Sequence, residues 1–577
     1  PKLVKTYATF EPREFFHERS DGESGSLINR FARYIAINKK DLSDQTQFNI
    51  KYSTFYPIYK EDKFLKLVEN VSTNDLPKLI VYTYIFRSKT EIPVLTDVLN
   101  ALDEECTHRV TDQELTVCEL LSILHAWMYL LPNKITKTTT YRTIMPKLLN
   151  KFNAHPNHND FMQIVFFMGL WKQYKHGTDF MRQFIHANIE TYLPANELNT
   201  MDFAILCNAT YKTSVKVLNE NFINRLIDEI SNFHLDDPAL LITFIKSARQ
   251  NQIKSEKIIH HLKEIIFKND EIIKSIDFRG YAHLFAYFAD NLICDAEISN
   301  FFIEKCMNRI HQEYEQQEQI SHFQSQDFRT KDLATFLWCC AHLSINLNDN
   351  GEIISEIILQ KIHNLQYKYK SNELIDSVLS LWMLNCKSRE LVKQIFTNRD
   401  IIHTNNMDKM KIESRKDLLI SCVDIEQSDL FKTIGNVKGR NDSALQKLRQ
   451  APEYLVKNRP KLQLIGQFCT DLKQKYQIEK VSFVHQIQHL NISGIALEFA
   501  DKSLCFIEVF DESNSLSDNK TPIGVFNLKL RLLKHSDCDI CLINTFEATT
   551  DDDLKALLEK DIQDFLDRDE NKNSIKI

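Results

Sequence analysis

The sequence predicts a mainly α protein, a helical-repeat solenoid followed by a small C-terminal α/β module. Three observations predict it. Between about residues 70 and 400 a polar cap and an apolar helix recur at steps of roughly 35 to 45 residues, the range of helix-pair solenoids. After Val481 the hydrophobic pattern changes to short strand-like runs around a single helical stretch. Only 11 of 577 residues are glycine, and the chain has no G-x-G-x-x-G and no G-x-x-x-x-G-K-[ST], so folds that cradle phosphates on glycine backbones are not expected.

The first 60 residues do not fit the recurrence and are expected to form an N-terminal cap. Helix starts are then read at Asn74-Asp75-Leu76, Thr111-Asp112, Asn159-Asp160-Phe161, Met201-Asp202-Phe203, Asp236-Asp237-Pro238, Ile276-Asp277-Phe278, Lys331-Asp332-Leu333 and Asn372-Glu373-Leu374. Asp and Asn suit those places because their side chains accept the free N–H groups of a first helical turn, and Pro238 suits a first helical position. Amphipathic partners are read at 221–230 and 255–267. One such pair cannot bury its apolar stripe alone; stacking buries it and leaves an extended surface. The step from 277 to 332 is long and contains the polar run 311–319, read as a helix extension or a loop. The helical array is placed at 61–400.

From 401 to 480 the composition turns basic, with Lys432, Lys438, Arg440, Lys447, Arg449, Lys457 and Arg459 among its cations and Gly435 and Gly439 flanking a loop. This linker domain is the best candidate for phosphate contact. Cations there would neutralise phosphates and Tyr454 would stack on an exposed base, whereas the plain alternative is a solvated surface. A second basic stretch comprises Lys134, Lys137, Arg142, Lys147 and Lys151, with His155 and His158 after it. The net charge of −7 argues against a uniformly basic coat and leaves a local groove open.

The last part, 481–577, is the α/β module. Residues 495–499 and 503–510 read as strands joined by a tight Asp501-Lys502 turn, 524–534 as a helix with a basic face, and 541–546 as a buried strand. The order of these elements resembles the RAP domain, a restriction-endonuclease-like fold, and that resemblance raises the question of a nuclease. A metal-dependent nuclease of this shape needs two or three carboxylates around the ion and a lysine to orient the attacking water. Glu498 and Glu508 are the candidate metal holders and Lys529 the assisting lysine; alternation permits both acids on one sheet face. Glu508-Val509-Phe510 lacks a lysine two positions on, so a retained fold without an active site is the favoured reading. His535, Cys538 and Cys541 have zinc-like spacing with no second pair to complete four ligands. Thirteen scattered cysteines suggest a reducing compartment. No membrane span, metal or cofactor is expected.

The order of strand, turn, strand, helix and strand, with Gly524, Leu528, Lys529, Arg531 and Leu532 in the helix, resembles the RAP domain. That is a restriction-endonuclease-like fold closing the Fas-activated serine/threonine kinase-like (FAST kinase-like) proteins of mitochondria. Thr545-Phe546-Glu547 stands where that family tends to carry two tryptophans around a glutamate. The resemblance implies a mitochondrial matrix protein that binds single-stranded RNA, a transcript or ribosomal RNA, without catalysis, and controls processing, stability or translation of organellar transcripts. Mitochondrial ribosomal or RNA-processing proteins are the implied protein partners. Lys529 and Arg531 then join the linker cations as expected RNA contacts. Two alternatives stay open, a structural or assembly subunit of a mitochondrial ribonucleoprotein and a metal-dependent RNA endonuclease.

Overall fold

Helices in this chain open where a side chain meets the unpaired N–H groups of a first turn, and the acids read from sequence do this in two ways. Asp237 and Asp277 are N-caps, their carboxylates accepting from Leu240 N and Gly280 N. Asp160, Asp202, Asp332 and Glu373 lie in the first turn instead. There a negative charge faces the positive end of the helix dipole, and Asn157 and Asn199 supply two of the caps. Thr111-Asp112 does not open a helix; it ends one. The next helix starts at a capping box, in which Thr116 and Glu119 satisfy each other's backbone N–H groups.

The computed structural model describes residues 22–39, 61–86, 92–132, 134–152, 157–170, 175–193, 198–234, 237–268, 273, 275–319, 328–398, 409–434, 449–536 and 538–574. The described chain is mainly helical, with one five-stranded sheet near its C-terminus, and it divides into two compact units at Ser275/Ile276. None of the described helices is long and apolar enough to cross a membrane.

The first unit contains α1 (Gly22–Asn38), α2 (Glu61–Asn70), α3 (Leu76–Phe86), α4 (Ile92–Asp112), α5 (Val117–Leu130), α6 (Thr139–Phe152), α7 (His158–Met168), α8 (Lys175–Tyr192), α9 (Thr200–Thr213), α10 (Glu220–Ser231), α11 (Pro238–Gln250) and α12 (Glu256–Lys268). Next-but-one helices pack together: α3, α5, α7, α9 and α11 form one row, while α2, α4, α6 and α8, then α10 and α12, lie in another. Burial follows the rows. In α7 every residue from Phe161 to Met168 is buried, whereas α10 buries the single stripe Phe222, Leu226 and Ile230. Within the expected cap region, α1 buries Leu27, Phe31 and Ile35 and packs on α7 and α11.

The second unit begins with α13 (Phe278–Asp290), α14 (Ala296–Gln319), α15 (Thr330–His342), α16 (Asn350–His363), α17 (Ser371–Met383), α18 (Arg389–Thr397), α19 (Lys409–Glu426) and α20 (Ser428–Ile434). Again α13, α15, α17 and α19 make one row and α14, α16, α18 and α20 the other. The polar run 311–319 extends α14.

One turn recurs after the buried-row helices. Ser214, Gln252, Leu292, Ser344 and Asn385 all have φ between 56° and 66°, at steps of 38, 40, 52 and 41 residues. In each case the N–H of the following residue (Val215, Ile253, Ile293, Ile345, Cys386) donates to the carbonyl five residues back, at 2.9–3.0 Å. This is the Schellman closure of a helix, with Val215, Ile253 and Ile345 buried as its apolar plug. No glycine occupies any of the five positions.

The sheet follows in order β1 (Arg449–Gln450), α21 (Glu453–Lys457), α22 (Pro460–Asp471), α23 (Lys473–Tyr476), β2 (Ile478–His485), β3 (Gly494–Phe499), β4 (Leu504–Phe510), α24 (Gly524–His535), β5 (Ile540–Asn544) and α25 (Asp551–Ser574). Strand order is β1-β2-β3-β4-β5, antiparallel until β5, which runs parallel to β4 after the α24 crossover. Asp501 holds the β3–β4 turn by accepting from Ser503 N and Oγ, and Lys502 takes φ 68°. Helices α22 and α25 cover one face: Leu462 and Ile465 from α22 and Leu554, Leu558, Ile562 and Phe565 from α25 pack on Ile495, Leu497, Ile507, Val509 and Ile543. The module therefore draws on residues from 449 onward, upstream of the boundary at 481 read from the sequence.

Candidate nucleic-acid interface and buried polar cluster

Alternation sends Ala496, Glu498, Phe506 and Glu508 to the sheet face opposite α22 and α25, so Glu498 and Glu508 do share a face. Their places along it differ. Glu498 pairs with Leu504, while Glu508 lies one residue beyond the Ile495–Ile507 pair. Four residues of strand separate them, about 13 Å at ~3.2–3.4 Å per residue. Oxygen ligands to one divalent ion stand about 2.0–2.6 Å from it, so these two carboxylates do not converge on a shared metal.

Glu508 is instead committed inside the module. Lys529 Nζ donates to Glu508 Oε2 at 2.6 Å and Gln486 Nε2 to Oε1 at 2.7 Å, and both members of the ion pair are buried. Burial pushes the Glu508 carboxyl above its ordinary range and the Lys529 ammonium below its own, while their mutual attraction pulls each back. A Cβ at residue 494 would collide with both Gln486 Nε2 and Glu508 Oε1, so glycine there leaves room for this pair of contacts. A second layer adjoins this pair. Arg459 donates to Asp511 Oδ2 at 2.8 Å and to the carbonyls of Ser493 and Val509 at 3.0 and 2.8 Å. His485 Nε2 lies 3.2 Å from Ser493 Oγ, and burial, with the charge of Lys529, lowers its pKa.

Neither comparison of the chain with known proteins finds a relative. No family model matches it, and no curated protein does.

The described residues among the expected RNA contacts separate into two groups. Lys432, Arg449 and Lys457 face solvent, with Glu453 2.8 Å from Lys457, and Tyr454 is 66% exposed. Lys438, Arg440 and Lys447 lie outside the described residues. Arg459 and Lys529 are corrected: both are bound inside the module and present no cation to a phosphate. Arg531 is half-buried and engaged with protein groups. Its guanidinium donates to the carbonyls of Trp382 and Met383 at 2.6 and 3.0 Å and to Glu426 Oε1 at 2.8 Å.

The second basic stretch is likewise partly internal. Lys147 donates to the carbonyls of Val110 and Thr111 at the end of α4, and Lys151 lies 3.5 Å from Glu114. Cations are favoured there because a helix C-terminus leaves carbonyls unpaired. Lys137 and Arg142 remain exposed, and His158 sits 3.9 Å from the buried carboxylate of Asp202.

His535, Cys538 and Cys541 do not gather. Cys541 joins the core under α25, Cys538 packs by the opposite face, and His535 lies 3.9 Å from Glu426. Sequence reasoning missed Gln486 and Glu426, and it missed that Asp511 is the partner of Arg459. The only local signal was the Asp511-Glu512-Ser513 turn, in which Asp511 accepts from Ser513 N.

Proposed function

We propose that this chain is a mitochondrial RNA-binding protein of the FAST kinase-like type, a helical-repeat solenoid closed by a RAP domain, working in the matrix. It holds single-stranded RNA without cutting it and controls processing, stability or translation of organellar transcripts. The observation that carries binding over cleavage is the commitment of Glu508 to Lys529 and Gln486 with Glu498 about 13 Å along the strand. A nuclease would need that carboxylate free to meet an ion. Two further features support the reading. Rows of alternating helices offer the extended surface on which single strands lie. Arg449, Tyr454 and Lys457 present two cations and a stacking ring within a short stretch of exposed chain.

The test is the affinity of the purified chain for a single-stranded RNA pool across a salt series, with and without Mg²⁺, the RNA then read on a gel. Binding that weakens with salt and leaves the RNA intact is expected. Mg²⁺-dependent shortening, or no binding at low salt, would overturn the reading.

A further inference from the structure

The helix residues Gly524, Asn527 and Arg531 all point away from their own sheet, toward the helices of the second unit. Gly524 lies so close to the carbonyl oxygen of Ala341, at the end of α15, that any Cβ would overlap it. Asn527 Nδ2 donates to Ser344 Oγ at 2.8 Å, and Ser344 Oγ donates to Pro522 O at 2.7 Å. Arg531 meets the last carbonyls of α17 and the carboxylate of Glu426 at the end of α19. Upstream of α24, Ser517 donates through both N and Oγ to Leu292 O, each at 2.9 Å, just beyond α13.

These contacts fall on the C-terminal ends of four consecutive helices of one row, and two of them, Leu292 and Ser344, are the left-handed residues of the recurring turn. Glu426 is the common acceptor. Its side chain is fully buried and takes Trp382 Nε1 at 2.6 Å, Lys387 Nζ at 3.0 Å and Arg531 Nε at 2.8 Å. An arginine fits this place because its planar fork supplies several donors to fixed acceptors, and because its charge faces the negative end of α17.

We propose that Ser517, Gly524, Asn527 and Arg531 form an intramolecular docking code, read by the ends of α13, α15, α17 and α19, and that the sheet module and these helices move as one rigid body. The module is then a fixed wall of the helical unit rather than a tethered appendage. Arg531 acts as a positioning residue whose partner is this chain's own helix ends. The inference does not depend on RNA binding.

The test uses the full chain carrying Ser344→Cys and Asn527→Cys, treated with a short bismaleimide and analysed by peptide mass. A 344–527 cross-link is expected, and its absence overturns the docking. Adding Arg531→Met is expected to reduce the cross-link about tenfold, since removing one partner of a buried charge pair is costly at an interface. Hydrogen exchange in the peptide around 341–345 and in 515–523 should rise while β3 and β4 stay protected. An undiminished cross-link overturns the role of Arg531. Should β3 and β4 also lose protection, Glu426→Gln decides: it alters no side chain of the module, and a cross-link retained in full there overturns the proposal.

Discussion

At Lys529 the chain places an ammonium where water does not reach, 2.6 Å from a carboxylate equally buried. A sequence cannot distinguish this lysine from one on the surface, because the letter is the same and only the helix face decides. Its energetics are unlike those of a surface cation. Lys529→Met leaves Glu508 buried without its counter-charge and should destabilise the module by about 3–5 kcal/mol, while adding Glu508→Gln should restore much of the loss. Hydrogen exchange of the β3 and β4 amides is the measurement. His485 carries a pH consequence. Its folded-state pKa is depressed, first by burial and then by the charge of Lys529. Below the unfolded value of about 6.5 the unfolded chain therefore binds more protons, and stability falls as pH drops. Module stability measured from about pH 7 to about pH 5 should decline, and the decline should be shallower in His485→Gln.

The helical elements were legible in proportion to how local their causes are. Asp237 with Pro238, and Asp277, cap helices as read, because a cap needs only its neighbours two or three residues on. Thr111-Asp112 misled because a polar pair looks alike at either end of a helix, and the decisive box, Thr116 with Glu119, lay five residues further on. The recurring Schellman turn left no trace, since the usual mark is glycine and this chain uses Ser, Gln, Leu, Ser and Asn. Each such residue is held in a backbone region that disfavours a side chain by roughly 1 kcal/mol. Gln252→Gly should therefore slow local opening of α11's end about fivefold, the equivalent of ~1 kcal/mol, net of the exposed contact from Lys216. Exchange of the Ile253 amide, which closes that turn on Ala248 O, reports it directly.

At the scale of the molecule, the strands 495–499 and 503–510 were readable because β-alternation is local, and they appear as β3 and β4 almost residue for residue. The start of the module was not, because β1 and α22 join the sheet through pairing and packing that span tens of residues. The same distance hides which cations are internal. Arg459 reaches Asp511 across 52 residues and Arg531 reaches Glu426 across 105, so a count of basic letters overstates the charge a ligand would meet. If the proposed RNA binding holds, that discrimination has a measurable consequence. Each exposed cation that neutralises a phosphate on a single strand contributes about 0.7 to the slope of log affinity against log salt. Arg449→Ala with Lys457→Ala should flatten that slope by about 1.4, and Tyr454→Ala should weaken binding by about 1–3 kcal/mol with little change in slope, because stacking releases no counterions. Arg459→Ala should instead lower the stability of the module, since it removes the guanidinium that donates to Asp511 Oδ2 and to the carbonyls of Ser493 and Val509. An RNA slope that flattens for Arg459→Ala in a fully folded chain, and stays unchanged for the Arg449 and Lys457 pair, would reverse the assignment of surface and interior cations on which the proposed binding face rests.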